Sequence, residues 1–143
     1  MKNEDEPKEY FERNILLVVI IIGLGLFLDW YSLYLLGQVN PWGTATIIPG
    51  LILTLQGLWL LVHPYAIVYE DRFEIKQSLM YNKEFYYLDA KGVDEKKTSS
   101  LSLIYNDEEV EGIHLFGMRS SHKPLFKNKL TEKIALSVEK RLF

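Results

Sequence analysis

Two apolar runs decide the fold: Ile15–Leu36, ILLVVIIIGLGLFLDWYSLYLL, and Ala45–Val62, ATIIPGLILTLQGLWLLV. The uncharged turn GQVNPWGT, residues 37–44, joins them and carries the chain breakers Asn40-Pro41 and Gly43. At 1.5 Å per helical residue the runs extend roughly 33 and 27 Å, each near the thickness of a bilayer's hydrocarbon core. Core helices of soluble domains seldom stay apolar on every face for that length. The expectation is a transmembrane helical hairpin.

The first run carries one charge, Asp29. Ile15–Leu28 holds twelve Leu, Ile, Val or Phe residues, together roughly −4 to −7 kcal/mol for insertion. One aspartate costs at most about 3.5 kcal/mol, and less away from the bilayer centre. Insertion therefore wins.

Charge sets the orientation. None of the 16 Lys and Arg residues falls between positions 15 and 62; three precede the hairpin and thirteen follow it. By the positive-inside rule both termini face the cytoplasm and the turn faces outward, in the cell membrane, with Arg13, Arg72 and Lys76 nearest the spans. Trp30, Tyr31, Tyr34 and Trp42 form the expected outer aromatic belt, and Tyr10, Phe11, Trp59 and Tyr65 the inner one. Residues 1–14, with five acids against Lys2, Lys8 and Arg13, read as a polar, acidic tail or as a helical extension of the first span. They lack the basic leader of a secretory signal. Pro49, inside the second run, removes a backbone donor and predicts a kink.

Beyond Val62 the apolar period changes from helical to two. Alternation through Tyr65–Tyr69, Phe73–Leu79, Glu84–Leu88, Val93–Lys97, Leu101–Tyr105 and Val110–Met118 predicts about five or six antiparallel strands in a meander. Phe126, Leu130, Ile134 and Val138 then recur every four residues, so 124–142 is expected as an amphipathic helix, with Pro124 in its first turn. The fold class is thus α+β: a transmembrane hairpin, 15–62, followed by a small antiparallel sheet or partial barrel with a C-terminal helix, 63–143.

Tyr65-Ala66-Ile67 leading to Arg72-Phe73-Glu74-Ile75, then Lys83–Leu88, Lys91-Gly92-Val93 and Gly112–Leu115, resemble bacterial pleckstrin-homology-like (PH-like) domains that follow a pair of transmembrane helices. The resemblance covers roughly residues 63–143. It implies a membrane-anchored interaction or scaffold module without catalysis, meeting the lipid bilayer and either a protein partner or a second copy of itself.

Candidate site residues are few. Asp29 suits an interfacial or hydrogen-bonded structural role, helix association or transport, with Thr46 or the Trp42 indole as expected partners. Gln56 suits a hydrogen bond between helices. Together they support the rival reading of a small oligomeric channel or transporter subunit. Gly23, Gly25, Gly50 and Gly57 offer close-approach surfaces but form no GxxxG motif. Arg119, Lys123, Lys127, Lys129 and Lys133 are candidates to face anionic headgroups of the inner leaflet, with the acidic patch Asp107–Glu111 turned away.

Other chemistry finds no foothold. The chain has no cysteine, which removes disulfides and thiolate sites. His63, His114 and His122 lack metal-ligand spacing. Ser99, Ser100 and Ser102 sit in no nucleophile elbow, and no glycine loop of the phosphate-binding kind occurs. Residues 63–143 carry 13 basic and 13 acidic groups, a balance that argues against nucleic acid. No cofactor, metal or enzymatic activity is expected.

Overall fold

The computed structural model describes residues 6–97 and 100–142. Ser99 and the first five residues of the acidic tail lie outside the described residues. The chain is α+β: two long apolar helices, two antiparallel sheets and a C-terminal helix.

Helix α1 runs Ile15–Gly37 and α2 runs Trp42–Val62. Asn14 caps α1, its side chain accepting from the Leu16 N–H at 3.1 Å. Asn40 does the same for the Trp42 N–H at 3.0 Å, so α2 begins three residues before the expected Ala45. The tight turn between them sets Val39 at φ 57°. Helix α2 continues unbroken through Pro49. Both helices are long and apolar enough to cross a membrane, and only 17% of either apolar stretch is buried within the protein. A core helix of a soluble domain would be mostly covered.

What the hairpin does bury is small. Val18, Gly25 and Ser32 on α1 face Gly43, Gly50 and Gly57 on α2, each set spaced by seven residues. A repeat of seven is the spacing of a coiled-coil-like seam, and small side chains let the backbones approach. A Cβ added at Gly43 would lie 2.8 Å from the Leu36 nitrogen, and one at Gly25 would lie 2.7 Å from the Thr54 nitrogen. Gly23 faces open space.

The seven strands among the described residues form two sheets. Strands β1 (Glu9–Phe11), β2 (Ala66–Val68), β3 (Arg72–Ser78) and β4 (Tyr81–Tyr86) make the first, in that order. Strands β5 (Ala90–Lys97), β6 (Ser100–Tyr105) and β7 (Val110–His114) make the second. Helix α3, Lys123–Leu142, packs on β5 and on the 3₁₀ turn Tyr87–Asp89. It lays Phe126, Leu130 and Ile134 into a core shared with Phe73, Ile75, Phe85, Leu101, Leu103 and Leu115. Arg141 locks its far end by donating to the carbonyls of Leu88 and Ala90, each at 2.8 Å.

Strand β1 corrects the reading of residues 1–14 as a tail or helical extension. Glu9, Tyr10 and Phe11 pair with Val68, Ile67 and Ala66, and Phe11 is a buried core residue, not a member of an interfacial belt. The reason is geometric. Two antiparallel helices return the chain beside its point of departure, so the segments flanking the hairpin meet and pair. The hairpin is in effect an insertion between two neighbouring strands. The next residues reach the second sheet's exit: the Asn14 N–H donates to Gly117 O at 2.8 Å, the Arg119 N–H to Glu12 O at 2.9 Å, and Arg13 bridges Met118. The N-terminal segment thereby joins both sheets.

Candidate functional site

Asp29 sits on the buried seam, on the face that α2 covers. Its Oδ2 accepts from Thr54 Oγ1 at 2.9 Å, and its Oδ1 packs against Gly50 with no hydrogen-bond partner among the described residues. Thr54 is not one of the expected partners. Thr46 instead accepts from Ser32 Oγ at 2.7 Å. Side chains lean toward the N-terminus of their own helix. Asp29 therefore reaches toward the Ile15 end of the hairpin, where the antiparallel α2 presents Thr54. The Thr54 hydroxyl also lies 2.9 Å from Gly50 O, and its single proton can serve only one of these acceptors at a time.

Gln56 departs from the expected interhelical bond. Its Oε1 accepts from the backbone N–H of Leu79 at 3.0 Å. Leu79 lies in the β3–β4 turn, so this turn reaches back along α2. No local pattern announces a contact between positions 56 and 79, because strand length and the chain's return path create it.

At the base of the hairpin stands Arg13. Its guanidinium donates to His63 O at 3.1 Å, to Pro64 O at 3.4 Å and to Lys76 O. It also lies over the rings of Trp59 and Tyr65, at 5.6 and 5.3 Å. Burial pulls its pKa down to about 10, opposed by the nearby Tyr65 hydroxyl. One side chain thus ties the end of α2, strand β3 and the start of α1 together. A cleft of about 420 Å³ opens beside it, lined by Glu12, Ile15, Val18 and Leu60–Pro64.

The basic side chains do not share one free face. Arg119 pairs with Glu12 at 2.7 Å and Lys129 with Glu9 at 3.6 Å, both acids from the N-terminal segment. Lys127 is only 6% exposed, although the helical pattern places it off the apolar stripe. Lys123 and Lys133 are half-buried. In the acidic patch, Glu111 accepts from Lys83 at 2.7 Å and from the Tyr105 hydroxyl at 2.6 Å. Hydrogen bonding holds Glu111 below the usual carboxylate range and Lys83 above its ordinary value. Desolvation and the Glu111 bond push Tyr105 up.

Among the described residues no three His, Asp or Glu side chains gather as metal ligands would. No family model, curated protein or solved structure matches the chain.

Proposed function

We propose that this chain is a membrane-anchored, non-catalytic interaction module. Its apolar hairpin spans the cytoplasmic membrane, and a PH-like domain is held against the inner leaflet, there to meet anionic lipid or a protein partner. The observation that carries this reading is the insertion of the hairpin between β1 and β2. A domain on a flexible tether would be free to tumble. Here Arg13, the β1–β2 pairing and the 12–14 to 117–119 contacts hold it in one attitude to the helices, as presentation of a fixed face to a partner requires.

Further support comes from the exposed apolar surface of both helices and from the stacked Phe27, Trp30, Tyr31 and Tyr34 on α1, which suit lipid and its interface. A four-stranded and a three-stranded sheet with a C-terminal helix on the core agree with a PH-like plan. The channel reading draws on the unpartnered Asp29 oxygen, whereas Gln56 is taken up by the β3–β4 turn.

Two measurements test the proposal. The full chain, expressed in bacteria, should resist alkaline extraction of membranes and float with liposomes; a monodisperse monomer in detergent-free buffer would overturn the anchor. Affinity capture in mild detergent should bring down a reproducible lipid or protein partner without ion conductance in planar bilayers. Conductance abolished by Asp29→Asn would establish the channel in its place.

A further inference from the structure

The β3–β4 turn ends in Leu79-Met80, two large apolar residues at the tip of a strand pair. Met80 is 94% exposed, and Leu79 and Tyr81 are about half exposed (48% and 51%). An apolar tip in water is a liability without a purpose. The base of this tip is tied to the hairpin. The Leu79 N–H is held by Gln56, which lies within the apolar run of α2, six residues before its end at Val62 and about 9 Å along the axis. Trp59 and His63, stacked at 4.3 Å beside Arg13, mark the polar–apolar boundary of the helix. Gln56 is almost one turn deeper.

We infer that the Leu79-Met80 turn is a second, shallow membrane anchor, inserted into the inner leaflet alongside α2 at the boundary between headgroups and acyl chains. This rests on the hairpin spanning a bilayer. Two observations converge, and the second has two consequences. The tip is apolar where a solvated turn would be rich in Gly, Asn, Asp or Pro. Its depth is fixed by a direct bond to a residue of the apolar helix. A backbone donor at a turn is costly in oil unless it is satisfied internally, and Gln56 satisfies the Leu79 N–H. A glutamine in an apolar run, otherwise an unexplained cost, thereby acquires a role. Phe116 is also exposed, and the Gly117 carbonyl beside it binds the Asn14 N–H at the start of α1. A second apolar point thus lies at the other side of the hairpin's exit.

The chain has no cysteine, so single-cysteine spin labels test this without background. Three full-length variants in phosphatidylcholine liposomes are compared: Met80→Cys, Leu26→Cys in the middle of α1, and Val110→Cys at the exposed start of β7 in the second sheet. Accessibility to oxygen, which concentrates in lipid, is set against accessibility to a water-soluble nickel chelate. The expected result is that labels at 26 and 80 both favour oxygen, by at least three-fold over the label at 110. If 26 favours oxygen while 80 matches 110, the insertion is overturned and the hairpin anchor survives. If 26 also matches 110, both fall. Dipolar broadening at position 80 that disappears on dilution with unlabelled protein would show a second copy of the chain on the tip, which equally overturns the inference.

Discussion

A methyl group at position 50 would collide with the Asp29 carboxylate and the α1 backbone, whereas one at position 23 would meet nothing. Two chemically identical substitutions should therefore have opposite signs. Gly50→Ala is expected to destabilise the helix pair by about 1–3 kcal/mol through overpacking. Gly23→Ala should stabilise it by about 0.5–1 kcal/mol through lost chain entropy and better helix propensity. Denaturant titration in micelles, followed by helical circular dichroism, measures both. Equal effects would refute the tight seam. The glycine spacing that marks this seam, 43-50-57, stands openly in the sequence. A search for GxxxG passes over it because that motif marks close-packed dimers and this seam repeats by seven. The identity of Asp29's partner was not legible, since it depends on how far the two helices slide past each other.

At the scale of elements, the turn between α1 and α2 and the strand before α1 carry distinct consequences. Val39 adopts a left-handed backbone that suits glycine, and it is 92% exposed, so its side chain has little packing to lose. Val39→Gly should raise the stability of the hairpin by about 1 kcal/mol, read as a higher thermal midpoint in detergent; a lower midpoint would refute the strain argument. Phe11 is different. It meets Phe126 edge-on at 5.0 Å and also touches His122. Phe11→Ala should cost about 3–5 kcal/mol, and the loss should appear in the sheet domain while α1 and α2 keep their helical signal. Near-ultraviolet circular dichroism and hydrogen exchange separate the two. An unchanged domain would mean that β1 is dispensable. Charged residues flank Glu9-Tyr10-Phe11 on both sides, so no alternation extends past it and β1 escaped sequence reading, whereas β2 is as short but lies within the alternating run Tyr65–Tyr69.

For the molecule as a whole, the pH dependence of stability follows from the cluster joining β4, β6 and β7. Glu111 has its folded pKa below the ordinary glutamate value of about 4.5. Its contribution is present above that value and is lost as pH falls through the folded pKa. Lys83 lies above 10.5 in the folded chain, so its contribution is present below that pH and is lost as alkali passes the raised value. Both side chains are about one-third exposed (33% each), and solvent screening holds the ion pair to at most about 1 kcal/mol. Glu111→Gln should therefore lower the domain's urea midpoint near pH 7 and leave it almost unchanged near pH 3. A deficit of equal size at both values would locate the effect in packing instead.

Local chemistry alone determined the elements whose signal repeats within a few residues: the length and apolarity of two helices, the alternation of the long strands, the four-residue stripe of α3. Only the tertiary structure decided what those elements meet. It seated the N-terminal segment as an edge strand, turned three glycines into one seam, buried Lys127, and carried the Leu79 amide to Gln56. The physical reason is range. Periodicity records which face of an element shuns water. Pairing across 23 to 110 residues depends on helix register and on the path by which the chain returns.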